Sequence, residues 1–397
     1  MNKTVRGRLA GSNAVYEFGF DGVIQSADEL ISPPRECDGI APGLVDVQVN
    51  GFAGVDYNDP EESIADIAQS LRTMFSTGVT RCLPTIITGS RERIAGALKN
   101  LTHAKHELES NGQPEGAAIE GFHVEGPHIS PEDGPRGAHP REHVRPPDIE
   151  EFHRWQDAAE GLVRLITVSP EWPQTPDYIR AITRAGVVAS VGHTRATKDQ
   201  IQAAVDAGAT MSTHLGNGAH SILPKTANYI WDQLAEDRLT PSFIVDGIHI
   251  PGSFLHAALR AKGIQHSVLV TDAVMPALCK PGFYCLGSVE VELKDDNRVV
   301  LRGGDRLAGS ALRMDAAIGK TVELGNVSLR DALTMATVNP ARVCRLAGRH
   351  RGLQPGEKAD FVRFHWSEPN HTFTVLETIV NGVSVYTNEH INSPIAT

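Results

Sequence analysis

The chain has 397 residues, with 37 Lys and Arg against 48 Asp and Glu, a net charge of −11. That acidic balance excludes non-specific nucleic-acid or anionic-membrane binding, which a basic face drives. No apolar run reaches about 18 residues and no short apolar stretch follows Met1-Asn2-Lys3, so neither a membrane span nor a secretory signal is expected.

The chain opens on short strands and turns. Val15–Phe20 and Gly22–Gln25 meet at Asp21-Gly22, a hairpin signal. After Ala41-Pro42-Gly43 the pattern changes to short apolar runs alternating with stretches of helical period. The runs fall at 44–50, 81–87, 118–125, 162–169, 187–193, 210–214, 243–249 and 267–272. Helical stretches between them include Pro60–Thr77, Arg91–Ser110, Thr197–Ala207 and Ser253–Lys262. Near-continuous apolar strands joined by helices describe a parallel sheet buried on both faces. Eight of them is the count of a (β/α)8 barrel, typically of about 250 residues. The alternative, an open doubly wound sheet, usually shows a Gly-rich turn after its first strand, and none is present here.

Beyond the eighth run, alternation across Gly287–Arg306 predicts a hairpin, and 312–324 and 329–337 read as helices. Segments 360–364, 378–380 and 383–386 return to strand. The fold class is thus α/β, a (β/α)8 TIM-like barrel over 43–343. Beside it a small β-sandwich domain is expected from residues 1–42 and 344–397 together. The five cysteines form no Cys-x-x-Cys pair and read as free thiols in a reducing compartment.

Histidine is frequent, at 17 residues, and ionisable or amide side chains recur where the strands end. Gln48 and Asn50 end the first, Glu125 the third, His193 the fifth, His214 the sixth, His249 the seventh and Asp272 the eighth. In a barrel those ends converge on one mouth. Any one of them alone reads equally well as a rim residue; their recurrence across the strands does not. One carboxylate and two imidazoles, Glu125, His193 and His214, suit zinc or another divalent first-row ion with a position left for water. Such an ion acidifies its water and polarises a carbonyl, which suits hydrolysis. Asp272 would be the carboxylate that moves the proton.

Ordered motifs then extend along nearly the whole chain. They are Pro42-Gly-Leu-Val-Asp-Val-Gln-Val-Asn-Gly-Phe-Ala-Gly-Val-Asp56, His123-Val-Glu-Gly-Pro127, Val191-Gly-His-Thr194, Thr213-His-Leu215, Asp246-Gly-Ile-His249 and Val270-Thr-Asp-Ala273. Leu307-Ala-Gly-Ser-Ala311, Ala336-Thr-Val-Asn-Pro-Ala341 and Gly352-Leu-Gln-Pro-Gly-Glu-Lys-Ala-Asp360 follow. Together they resemble the N-acetylglucosamine-6-phosphate deacetylases of the amidohydrolase superfamily.

The resemblance implies that Glu125, His193 and His214 hold the metal and that Asp272 accepts and returns the proton. Many superfamily members carry His-x-His on the first strand, where this chain has Gln48-Val49-Asn50. Neutral amides are poor ligands, so one divalent ion is expected, Zn2+ first and Fe2+ or another divalent ion as the alternative. No Lys ends the fourth run, so the bridging carbamylated lysine of other branches is absent too. By the same resemblance Ala138 and His139 stand near the reacting amide. Asn217, Gly218 and His249 hold the sugar phosphate, and Leu307, Ala308 and Gly309 line the substrate. His123 is expected to be structural.

One segment departs from the family pattern. After Asn217 the family usually carries an Arg that reaches the phosphate, often across a dimer interface. Here the segment reads Ala219-His-Ser-Ile-Leu-Pro-Lys-Thr-Ala-Asn-Tyr-Ile-Trp231, which puts Lys225 in that place. Lys binds phosphate as a point charge without the bidentate fork. His220, Asn228 and Trp231 in the same segment suit a different or unphosphorylated sugar.

The activity implied is removal of acetyl from an amino-sugar phosphate. An N-acetylgalactosamine-type or unphosphorylated sugar, or an N-acyl amino acid, is the alternative, and a catalytically inactive binding barrel the third reading. A small-molecule substrate, a homodimer and a cytoplasmic location are expected, with neither nucleic acid nor membrane as partner.

Overall fold

The computed structural model describes residues 3–32, 34 and 37–389. Residues 1, 2, 33, 35, 36 and 390–397, all within the expected terminal domain, lie outside the described residues.

Eight parallel strands form one sheet in sequence order: Leu44–Val49, Val79–Ile87, Phe122–Glu125, Val163–Val168, Val188–Val191, Met211–Ser212, Thr240–Ile244 and Val268–Val270. Every residue of the first two is buried, as a sheet covered on both faces requires. The ring closes between the first and last strands. Asp272 donates its N–H to Gln48 O at 2.9 Å, and Asn50 donates to Ala273 O at 2.7 Å. This is the (β/α)8 barrel that the eight apolar runs predict.

The connecting helices start where side-chain caps place them. Pro60–Thr77 shortens to Ile64–Phe75 because Ser63 accepts the N–H of Asp66 and fixes the first turn there. Ser90 caps Arg91–Ser110, and Thr197 with Gln200 forms a capping box at Lys198–Asp206. Among the described residues no helix is long and apolar enough to cross a membrane.

The chain ends meet in a separate seven-stranded mixed sheet. Gly39–Pro42 lies parallel to Lys3–Leu9 and antiparallel to Phe361–Ser367. Val5, Phe18, Phe20, Ile24, Ile40, Phe361 and Ile379 pack there as an apolar cluster of their own. A buried ion pair ties this sheet to the barrel: Arg81, on the second barrel strand, meets Asp360 through Nε at 2.8 Å and Nη2 at 3.1 Å. Buried Arg349 meets the same carboxylate, so removing Asp360 would take a partner from two buried cations.

The predicted hairpin at 287–306 is a three-stranded antiparallel sheet instead, Gly282–Leu286, Val289–Leu293 and Val299–Leu301. Its first strand was not legible because Phe283 and Cys285 face outward while Gly282 and Tyr284 give no apolar alternation. Leu286, Val291, Leu293 and Val299 pack on Ile87 and Val274, at the ends of the second and eighth barrel strands. The insert therefore roofs one side of the barrel mouth.

Candidate active site

The polar strand ends converge. His193 Nε2 stands 3.1 Å from Glu125 Oε1, His214 Nε2 2.9 Å from the same oxygen, and the two Nε2 atoms 3.1 Å from each other. Two imidazole nitrogens at that separation can share one proton at most, whereas a cation satisfies all three donors at once. All three residues are buried, and they form the potential metal-ligating group found among the described residues. One carboxylate and two imidazoles fit a single divalent ion. His193 Nδ1 meets Pro135 O at 2.9 Å, which fixes the ring and turns Nε2 inward. Burial disfavours charge on Glu125, but hydrogen bonds with His193 and His214 outweigh it and hold the carboxyl well below its usual range.

The backbone at these positions is unusual. His193, His214 and Asp272 adopt φ of 49°, 28° and 50°, in the region that favours glycine. Each lies two residues beyond the end of a barrel strand, and the left-handed turn re-aims its side chain toward the mouth. This is the strain expected at a functional site. It also shortens the strands: the sixth ends at Ser212 and the fifth at Val191.

Gln48 and Asn50 act as donors. Gln48 Nε2 bridges Glu125 Oε1 at 3.0 Å and Asp272 Oδ1 at 3.2 Å. Asn50 Nδ2 donates to Asp272 Oδ1 at 2.7 Å. Burial, then the nearby charge of Glu125, pushes the Asp272 carboxyl up to about 6. A carboxyl in that range can both take and return a proton near neutrality.

The site lines a cavity of about 110 Å³. Ala138, His139, Asn217, Gly218, His249, Leu307, Ala308 and Gly309 all reach it. His139 Nδ1 pairs with Thr88 Oγ1 at 2.8 Å, and burial, then the charge of His193, pushes its ring down to about 3. His139 is therefore a neutral imidazole. His249 sits five residues beyond the seventh strand, where Asp246 Oδ1 accepts the N–H groups of Ile248 and His249 and Oδ2 meets His249 Nδ1 at 2.6 Å. Lys225 is exposed and lines neither this cavity nor the larger one outside it.

His123 lies inside the barrel, one layer beneath Glu125, with Nε2 2.8 Å from Thr167 Oγ1. Sequence reasoning missed Asp46, whose carboxylate accepts from Thr271 Oγ1 at 2.5 Å and from the Gln48 N–H at 3.3 Å. The signal was there, since Asp46, Gln48 and Asn50 follow at period two and share the inner face. Ile87, Ile244 and Leu286, the apolar wall, were also missed; nothing local separates them from other core residues.

Residues 40–385 match the Amidohydrolase family model. The N-acetylglucosamine-6-phosphate deacetylase of Bacillus subtilis (strain 168) is 33% identical over 81% of this chain and 80% of that protein. The chain belongs to this deacetylase family of the amidohydrolases. An N-acetylgalactosamine-6-phosphate deacetylase of Escherichia coli O157:H7 is 32% identical over 86% of this chain and 88% of that one. In three dimensions this amidohydrolase resembles the Mycobacterium smegmatis N-acetyl-D-glucosamine-6-phosphate deacetylase, solved in complex with N-acetyl-D-glucosamine-6-phosphate. The TM-score is 0.85 at 27% identity, covering 97% of this chain and 100% of that one.

Proposed function

We propose that the protein hydrolyses the N-acetyl amide of an amino-sugar phosphate, converting N-acetylglucosamine 6-phosphate to glucosamine 6-phosphate and acetate. The observation that carries this reading is Asp272 beside the Glu125–His193–His214 cluster at the floor of one small cavity. Those three side chains would hold one divalent ion, with zinc the first candidate and ferrous iron the second. When bound, it supplies Lewis-acid polarisation of the acyl carbonyl and a more acidic water.

The chain's own residues do the rest. Asp272, oriented by Asn50 and Gln48, takes the proton of the attacking water and returns it to the departing amine nitrogen. His139, neutral and with Nδ1 engaged by Thr88, donates from Nε2 toward the acyl oxygen as negative charge develops there. Leu286, Ile87 and Ile244 close the apolar side and limit water around the reacting amide.

A galacto-configured substrate is the second reading, favoured by the likeness to the E. coli N-acetylgalactosamine-6-phosphate deacetylase. The family's cross-subunit phosphate contact supports a homodimer, and five free cysteines support a cytoplasmic location. Acetate release from the 6-phosphates of N-acetylglucosamine and N-acetylgalactosamine, and from the free sugars, tests all of this. Absence of release from every substrate by metal-loaded protein refutes the proposal.

A further inference from the structure

Asp46 is buried on the first barrel strand, two residues before Gln48. Three hydrogen bonds reach its carboxylate, and two of them come from one residue. Thr271 donates its N–H to Oδ1 at 3.2 Å and its hydroxyl to Oδ2 at 2.5 Å. Gln48 donates its N–H to Oδ1 at 3.3 Å. Burial pushes this carboxyl up to about 7, and the hydrogen bonds from Thr271 and Gln48 hold it back. A carboxylate in a barrel core depends on such donors, and here they join it to the segment that carries Asp272.

The hydroxyl of Thr271 also accepts the N–H of Ala273 at 3.1 Å, a bond that spans Asp272. Asp272 has a φ of 50° within that span. Its own peptide groups are held from two sides, the N–H by Gln48 O at 2.9 Å and the carbonyl by the N–H of Ser310 at 2.9 Å. Ser310 Oγ donates to Thr271 O at 2.6 Å. A left-handed conformation at a residue other than glycine persists only where its surroundings over-determine it. Thr271 Oγ1 has a second acceptor in reach, Gln48 O at 3.4 Å. The shorter bond to Asp46 fixes the hydroxyl rotor, and with it the lone pair that receives the Ala273 N–H.

We propose that Asp46 and Thr271 form a positioning pair, which holds Asp272 in its turn and aims the carboxylate at Asn50 and Gln48. This rests on the proton-carrying role of Asp272 proposed above and names what fixes that residue in place. Neither Asp46 nor Thr271 lines the catalytic cavity, so each acts through the turn and not on substrate. Thr271→Val keeps the branched shape while removing the donor to Asp46 and the acceptor for Ala273 together. Thr271→Ser keeps both. Asp46→Ala removes the anchor and leaves the hydroxyl free to turn toward Gln48 O.

Steady-state deacetylation of N-acetylglucosamine 6-phosphate, ion content and crystal structures are compared for the native protein and these variants. Thr271→Val is expected to lower kcat by about 10- to 100-fold, with KM little changed and the ion retained. Thr271→Ser should bring kcat back to within about threefold of native. Asp46→Ala should also lose kcat, and the double variant should be no slower than the worse single, because both act on one turn. In the crystal, Asp272 Oδ1 should leave Asn50 Nδ2 in Thr271→Val and keep the 2.7 Å contact in Thr271→Ser. Native kcat in Thr271→Val overturns the proposal, as does an equal loss in Thr271→Ser, a rise in KM alone, or loss of the ion with activity. A double variant whose losses multiply overturns it too. If Asp46→Ala does not fold, the two Thr271 variants decide. If metal-loaded native protein releases no acetate, the proposed function falls and the crystal structures decide on the pair: a native Asp272–Asn50 contact in Thr271→Val overturns it.

Discussion

Asn50 donates from Nδ2 to Asp272 Oδ1 at 2.7 Å, a hydrogen bond that spans the closure between the first and eighth barrel strands. The contact aims the carboxylate without engaging Glu125, so its loss should affect proton transfer and leave the metal in place. A hydrogen bond to a charged group contributes about 1.5–3 kcal/mol, so Asn50→Ala is expected to lower kcat by about 10- to 100-fold. Elemental analysis should find the ion content of the native protein. Loss of the ion along with activity would show that Asn50 belongs to the ligand set instead.

In the proposed mechanism Asp272 carries the proton, so Asp272→Asn removes the acid and base together and keeps the shape. General acid–base catalysis contributes about 10²–10⁴-fold, and turnover should fall by that order. Turnover close to native in a metal-replete Asp272→Asn protein would sink the mechanism.

The convergence of His193 Nε2, His214 Nε2 and Glu125 Oε1 makes one ion per chain the expected content. Chelation should abolish activity and lower the thermal midpoint, because an ion that binds only the folded state stabilises it by mass action. His214→Ala should neither hold the ion nor respond to chelator. Gln48→Ala should still hold it, since Gln48 contributes an N–H donor to Glu125. Two ions per native chain would contradict the donor role of Gln48 and Asn50.

The barrel was legible because its strands are buried on both faces and so read as continuous apolar runs. The cluster of Glu125, His193 and His214 was legible because polar residues have no packing reason to end such runs. What escaped depends on contacts distant in sequence. The positive φ of His193, His214 and Asp272 is imposed by the converging mouth, and ordinary His and Asp residues carry no mark of it. The strand Gly282–Leu286 gains its place from pairing with Val289–Leu293 and from Leu286 packing over the mouth, not from its own alternation. Counting from Asn217 puts Lys225 in the phosphate-binding place; on its own chain it is exposed and lines neither cavity.

His128 tests the fold away from the chemistry. Its ring lies 5.3 Å from that of Trp155 and 5.2 Å from that of Tyr178, with Nδ1 3.3 Å from Arg145 O. Burial pushes it down to about 4. The unfolded chain takes up this proton near pH 6.5, while the fold withholds it to about pH 4. Stability is therefore lost as pH falls through that window, by at most about 1.4 kcal/mol per pH unit from this residue. His128→Gln should cost about 1–3 kcal/mol at pH 7 through lost packing. Because the variant has nothing to protonate there, that penalty should shrink between pH 7 and pH 5. Urea unfolding of both proteins at the two pH values measures it. A penalty that stays constant or grows on acidification would mean that the His128 ring is not held neutral by burial.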